Sequence, residues 1–135
     1  MRWRIEPERY ALAGYAAPPD ADDLALLDAS GSGQIVREGG ETTLLVPMTR
    51  LPELERRRPE ARCERDLLWV RFEQAMDWEL VGFLALVTGE LARVGVPVGA
   101  VCGYSRDHLF VASRYESEVR AVLLELFPES SSEPG

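Results

Sequence analysis

The chain has 135 residues, of which 46% are apolar, so it can bury one core of ordinary size or two small cores that share a sheet. Its 15 basic and 23 acidic residues give a net charge of -8, which repels phosphate backbones and anionic membranes, so neither nucleic acid nor a membrane surface is expected as a partner. Two cysteines and one histidine fit neither a disulfide framework nor a zinc site, and no segment has the pattern of a signal peptide or a membrane span. We therefore expect a cytoplasmic protein without a metal or a cofactor.

The chain begins with a predicted strand and a predicted helix. Residues 8–16 have the length and aromatic content of a strand, and the prolines that follow end it. Asp20 is placed to cap a helix over residues 21–30, with Leu24 and Leu27 three positions apart on one face.

Two strands and a weak helix follow. Residues 34–37 and 42–47 are strands on either side of residues 38–41, whose two glycines indicate a tight turn. Residues 51–58 form a short helix with a weaker pattern.

The second half repeats this order more clearly. In residues 67–73, Leu68, Val70 and Phe72 alternate onto one face of a strand. A helix begins near Glu79, and Gly95 is placed to end it. Its apolar stripe consists of Leu80, Phe83, Leu84, Val87, Leu91 and Val94.

A hairpin and a last helix complete the second half. Residues 95–112 read as two apolar strands joined by a polar tip, Ser105, Arg106 and Asp107. Ser113 and Glu116 have the spacing of a capping box. The inward positions of the last helix are Tyr115, Val119, Val122, Leu123 and Leu126.

Both halves are thus predicted to have the order strand, helix, strand, strand, helix. This is a pseudo-repeat in the order of the predicted elements. Hairpin-joined strands in this order belong to ferredoxin-like βαββ units, in which helices cover one face of an antiparallel sheet. We therefore predict an α+β fold of two tandem ferredoxin-like units, residues 1–60 and residues 61–128. Residues 129–135 lack core-forming side chains and are expected to be a disordered tail.

Residues 76–112 combine three features: Gly82 at the opening of the helix, the passage LARVGVP at residues 91–97, and the hairpin GYSRDHLFV at residues 103–111. In this combination the segment resembles the ACT domain, and within that family the small tandem-ACT proteins related to CASTOR-type arginine sensors. The strand ETTLLVP at residues 41–47 is similar to the ELSIVCP that ends the first half of those proteins. The resemblance implies that both predicted units are of ACT type.

ACT-type domains are amino-acid sensors that hold their ligand between the loop after the first strand and a neighbouring domain. By this resemblance, the free N–H groups of the helix that begins near Glu79 are suited to a ligand carboxylate, and Asp77 and Asp107 to an ammonium group or a basic side chain. The expected ligand-binding residues are Asp77, Trp78, Glu79, Gly82, Phe83, Gly103, Tyr104, Ser105 and Asp107, with no catalytic residue and no metal ligand.

Each of these residues also has a structural interpretation. Asp77 fits the N-cap of the helix, and Asp107 fits a turn residue that stabilises the hairpin. Trp78 and Phe83 fit a core or a dimer interface. Cys102, in an apolar strand, is expected to be a small buried hydrophobic residue and not a nucleophile.

Two functions from different classes remain open. The favoured one is a regulatory ACT protein that binds a free amino acid, forms a homodimer, has a regulated partner protein and carries out no catalysis. The alternative is a structural or interaction protein whose ACT-like sheets mediate dimerisation or docking to a partner enzyme. A small hydrolase or transferase has the weakest support, because no phosphate loop, metal cluster or catalytic triad is visible.

Overall fold

The computed structural model describes residues 1–128, and the chain forms two compact units. We call Glu8–Asp66 the N-terminal unit, and Met1–Pro7 together with the residues from Leu67 onward the C-terminal unit. The tail expected at residues 129–135 lies outside the described residues.

Strands and helices are numbered in chain order. The strands are β1 (Trp3–Ile5), β2 (Tyr10–Tyr15), β3 (Gln34–Glu38), β4 (Glu41–Pro47), β5 (Arg62–Phe72), β6 (Gly99–Cys102) and β7 (Asp107–Ala112). The helices are α1 (Ala21–Ser30), α2 (Leu51–Arg57), α3 (Phe83–Arg93) and α4 (Glu116–Leu126).

The N-terminal unit has antiparallel strands in the order β3-β4-β2, with α1 and α2 packed on one face. Alternating side chains of β2 and β4 meet the helices, as the period of two along a strand requires. The buried core consists of Ala11, Ala13, Tyr15, Leu26, Leu44, Val46, Leu51 and Leu54.

The N-cap of α1 is as predicted, but its buried face is so only in part. The Asp20 carboxylate accepts a hydrogen bond from the Asp23 N–H at 2.9 Å, and Gly31 ends the helix with φ 75°. Leu24 and Leu27 were expected to share one face: Leu27 packs against the core, whereas Leu24 is 59% exposed and Leu26 is buried. The prediction was wrong for Leu24, because the buried Asp23 and Leu26 occupy the inward face of the helix and turn Leu24 toward solvent.

The C-terminal unit has antiparallel strands in the order β1-β5-β7-β6, and α3 and α4 cover one face. The expected inward face of β5 is confirmed, since Leu68, Val70 and Phe72 are all buried. Its core consists of Trp3, Ile5, Leu68, Val70, Phe72, Val87, Leu91, Val96, Leu109, Val111, Val119 and Leu123.

Strand β1 was not predicted. Trp3 pairs with Phe72 of β5 and is completely buried. Three residues, one of them Arg4 between two apolar neighbours, are too short a segment for a period to be recognised. The first residues of the chain consequently belong to the C-terminal unit.

Both ends of α3 are set by glycines. Gly82 has φ 88°, so the helix begins at Phe83, and the expected start near Glu79 was wrong. At the other end, Gly95 has φ 79°, its N–H bonds to the Ala92 carbonyl and the next N–H bonds to the Leu91 carbonyl. This is a Schellman motif, which confirms Gly95 as the residue that ends the helix.

The expected capping box of α4 does not form. Residues Ser113–Tyr115 make a 3-10 turn, and α4 begins at Glu116 without a side-chain cap. The inward face is nevertheless as predicted, because Val119 and Leu123 are buried and their apolar neighbours pack beside them.

The α+β fold of two ferredoxin-like units is therefore confirmed. The observed units divide the chain after Asp66 and include β1 in the second unit, which differs from the expected boundary at residue 60. That the two units are an ACT-like unit and an ACT domain stays a prediction. None of the helices within residues 1–128 is long and apolar enough to cross a membrane.

A buried carboxylate organises one end of the N-terminal unit. Asp23 is fully buried and accepts hydrogen bonds from the Tyr15 hydroxyl at 2.7 Å, from Arg57 at 2.9 Å and from Arg58 at 3.1 Å. The Asp20 N–H also donates to it at 3.0 Å. Burial alone raises the pKa of Asp23, but these hydrogen bonds outweigh it and lower the pKa to about 2.

Replacing Asp23 by Asn is expected to destabilise the protein by about 3 kcal/mol near neutral pH, because the two guanidinium groups lose their buried partner. Because the pKa of Asp23 is lowered on folding, this contribution is present above its ordinary pKa of about 4 and is lost as the pH falls toward 2. Urea unfolding at several pH values measures it. The neighbouring exposed residue provides the matched control, Asp22→Asn, and an equal effect of both changes would contradict the prediction.

Candidate functional site

Two loops of the C-terminal unit lie together and form a cleft of about 220 Å³. One loop is residues 76–82 between β5 and α3, and the other is the hairpin loop, residues 103–106, between β6 and β7. The Met76 N–H donates to the Ser105 carbonyl at 2.5 Å and joins them. The cleft is lined by Met76, Asp77, Trp78, Leu80, Gly82, Phe83, Leu84, Ala85, Cys102, Gly103, Tyr104, Arg106 and Asp107.

Local turns shape the first loop and leave the start of α3 open. The Asp77 carbonyl accepts from the Leu80 N–H at 2.9 Å, and its carboxylate accepts from the Glu79 N–H at 3.4 Å. Asp77 therefore stabilises a turn within the loop and does not cap α3. The cap position belongs to Gly82, which has no side chain, so the first amides of α3 carry a partial positive charge without a side-chain cap.

The hairpin loop depends on a glycine. Cys102 pairs with Asp107, and the Gly103 N–H donates to the Arg106 carbonyl at 3.0 Å. A Cβ atom on Gly103 would lie 3.0 Å from that carbonyl oxygen and 3.1 Å from Nε2 of His108, so a larger residue would displace one of them. Cys102 was expected to be buried and is exposed, because β6 is the terminal strand of its sheet.

His108, next to the hairpin loop in β7, contacts Trp69 of β5. Its Nδ1 accepts a hydrogen bond from the Trp69 indole N–H at 3.1 Å, and the two rings meet edge to face. Burial and the nearby guanidinium groups of Arg71 and Arg106 lower the pKa of His108, with Asp107 opposing them. A neutral ring is the form that can accept the Trp69 hydrogen bond.

Charges of both signs line the cleft and do not neutralise each other. Among residues 1–128, neither Asp77 nor Asp107 forms an ion pair with Arg106, and Arg106 has no other carboxylate partner. The Nε–H of Arg106 is buried and has no hydrogen-bond partner in the described chain. Arg106 was predicted to lie in the polar tip and was not among the expected ligand-binding residues; its place beside Asp107 was the one available signal.

Seven of the nine expected residues line the cleft, and Glu79 and Ser105 do not. Trp78 is 83% exposed, so its interpretation as a core residue was wrong. Phe83 is partly buried and meets Phe72 edge to face at 4.8 Å between ring centres, so it belongs both to the core margin and to the cleft. That these residues bind a ligand stays a prediction.

No group of His, Cys, Asp and Glu side chains in the described part of the chain is arranged to hold a metal ion. The site is thus a cleft with two carboxylates, a guanidinium group, uncapped helix amides and apolar side chains.

Solved structures share this fold over most of the chain. A structural-genomics protein from Agobacterium tumefaciens has a TM-score of 0.77 at 20% identity, over 98% of this chain and 91% of that one. A structure of the alpha and beta subunits of an aspartokinase has a TM-score of 0.72 at 15% identity, over 95% of this chain and 98% of that one. The regulatory subunit of aspartate kinase from Thermus thermophilus has a TM-score of 0.69 at 16% identity, over 93% of this chain and 95% of that one.

No protein-family model and no curated protein matches the sequence. At these identities the structural likeness supports an ACT-like fold and carries no further conclusion.

The left-handed conformation of Gly82 leads to a stability prediction. Nothing lies within 4 Å of a Cβ atom built there, so Gly82→Ala introduces backbone strain without a clash and should cost about 1 to 2 kcal/mol. Gly89→Ala is the matched control, because Gly89 lies inside α3 with equally open space and should gain about 0.5 to 1 kcal/mol. Urea unfolding compares the two variants, and equal effects would contradict the account of the helix start.

Proposed function

We propose that this protein is a regulatory ACT protein that binds a free amino acid in the cleft and carries out no catalysis of its own. The observation that carries the proposal is the set of unpaired charges in the cleft. Asp77 and Asp107 offer carboxylates to an ammonium group, while Arg106 and the first amides of α3 offer donors to a carboxylate. A zwitterion presents both complementary groups.

The size and lining of the cleft agree with a ligand of this kind. Its volume of about 220 Å³ lies below the range of roughly 300 to 1,000 Å³ that holds drug-sized molecules, so the occupant is small. Met76, Leu80, Phe83 and Leu84 supply apolar surface for a side chain. The proposed ligand contacts are Asp77, Trp78, Gly82, Phe83, Gly103, Tyr104 and Asp107.

The structural neighbours support a regulatory role. Two of them are the subunits of an aspartokinase and the regulatory subunit of an aspartate kinase, and in our proposal this chain likewise regulates a partner protein. The sequence resemblance to CASTOR-type arginine sensors makes arginine one ligand to test. A cytoplasmic location stays a prediction.

A thermal-shift screen against the twenty amino acids tests ligand binding. An amino acid at ~100 times its Kd should stabilise the protein by about 2.7 kcal/mol and raise its melting temperature. No shift with any of the twenty at high concentration would contradict amino-acid binding.

Asp107→Ala should remove most of the affinity for the amino acid that gives the largest shift. Loss of a charge-assisted hydrogen bond in a partly desolvated cleft costs about 1.5 to 3 kcal/mol, or roughly ten- to a hundredfold in Kd, measured by isothermal titration. Stability should change little, because Asp107 makes no ion pair in the described chain. Asp28→Ala, at an exposed position of α1, is the matched control. Unchanged affinity in the Asp107 variant would overturn the role of Asp107 as a ligand contact.

A second candidate function is docking to a partner without a small ligand. It is favoured by large exposed apolar side chains in the two loops that form the cleft: Trp78 is 83% exposed, Val81 is 91% exposed and Tyr104 is 100% exposed. The amino-acid screen separates the two functions, because a docking surface needs no amino acid.

We also propose a homodimer formed through sheet edges, because β3 and β6 are terminal strands and an unpaired edge is prone to association. Light scattering should give twice the chain mass. A lysine on the edge that forms the interface, Val36→Lys on β3 or Ala100→Lys on β6, should shift the mass to that of a monomer. A monomer at every accessible concentration of the parent protein would overturn the proposal.

A further inference from the structure

Arg106 is the charged residue of the cleft that was not among the expected ligand-binding residues. It is the last residue of the hairpin loop, and its carbonyl is held by the Gly103 N–H at 3.0 Å. The next residue, Asp107, is already paired in β7. The backbone from which the guanidinium projects is therefore fixed at both ends.

Most of the other partly buried arginines within residues 1–128 have carboxylate partners, and Arg50 instead donates to the Ala29 carbonyl at 3.4 Å. Arg58 contacts Asp23 at 3.1 Å, and Arg71 contacts Glu6 at 3.5 Å. Arg106 is also partly buried, yet within residues 1–128 its guanidinium makes neither an ion pair nor a hydrogen bond, and its Nε–H is buried without an acceptor. The Nε–H of Arg58 also lacks an acceptor, but Nη2 of Arg58 donates to Asp23 at 3.1 Å. Buried donors in native proteins nearly always have a partner, whether protein, water or ligand.

We propose that Arg106 receives the carboxylate of the molecule that occupies the cleft and so restricts the cleft to small carboxylates. This inference rests on the proposed function and adds a specificity-determining residue to it. A guanidinium presents donors in a planar fork that matches a carboxylate with two parallel hydrogen bonds. The first amides of α3 lie in the same lining and supply further donors.

The carboxylates in the cleft then determine the orientation of an amino acid. Asp77 and Asp107 repel a carboxylate and attract an ammonium group, so the α-carboxylate lies toward Arg106 and the ammonium group toward the two aspartates. An amino-acid amide lacks the carboxylate and should bind much more weakly than its parent acid.

The first test uses sodium acetate as a carboxylate probe and follows the Arg106 Nε–H signal in ¹⁵N-labelled protein. Arg106→Lys identifies the signal by its disappearance. Acetate should shift this signal in a saturable manner, whereas sodium chloride at equal ionic strength should not. A signal that stays unmoved by acetate would overturn the inference.

The second test titrates the parent protein, Arg106→Gln and the exposed control Arg56→Gln with the strongest binder among the twenty L-amino acids and with its amide. Arg106→Gln should weaken binding of the amino acid roughly ten- to a hundredfold in Kd and leave the Kd of its amide unchanged. Equal losses for acid and amide, or none for the acid, would overturn the role of Arg106 while amino-acid binding stands. If acetate shifts the Arg106 signal but no amino acid binds, the proposed function fails and the carboxylate site remains.

Discussion

The hydrogen bond from the Met76 N–H to the Ser105 carbonyl joins the two loops on which the cleft depends. The first loop reaches that point because β5 ends at Phe72 in the core, and it turns away into α3 because Gly82 adopts a left-handed conformation. The second loop is held tight by Gly103, where any side chain would meet His108. The cleft is thus a product of the backbone geometry of these two loops.

The two units use the same residue types in opposite ways. In the N-terminal unit, Asp23 lies fully buried, and Arg57 and Arg58 neutralise it, which stabilises the fold without leaving a charge to interact with anything else. In the cleft of the C-terminal unit, Arg106 and Asp107 share a lining without pairing. Charges that the fold leaves unpaired cost stability, and such a cost is common where a ligand supplies the missing partner.

Much of this arrangement could be read from local patterns. The alternation of Leu68, Val70 and Phe72 predicted the inward face of β5, and Gly95 predicted the end of α3, because each signal depends only on neighbouring residues. The same reasoning misplaced the start of α3, since the apolar period continues through Leu80 while the backbone at Gly82 interrupts the helix. A periodic pattern records which side chains can face a core and does not record where the backbone turns.

By itself, the sequence determined the repeated order of strands and helices, the fold class and the two loops where a ligand would be sought. Only the tertiary structure decided that β1 joins β5, that Asp23 is buried among arginines and that Arg106 has no partner in the described chain. Local elements follow from interactions a few residues apart. Strand pairing and charge pairing instead join residues far apart in the chain, such as Trp3 with Phe72, and no local pattern encodes them.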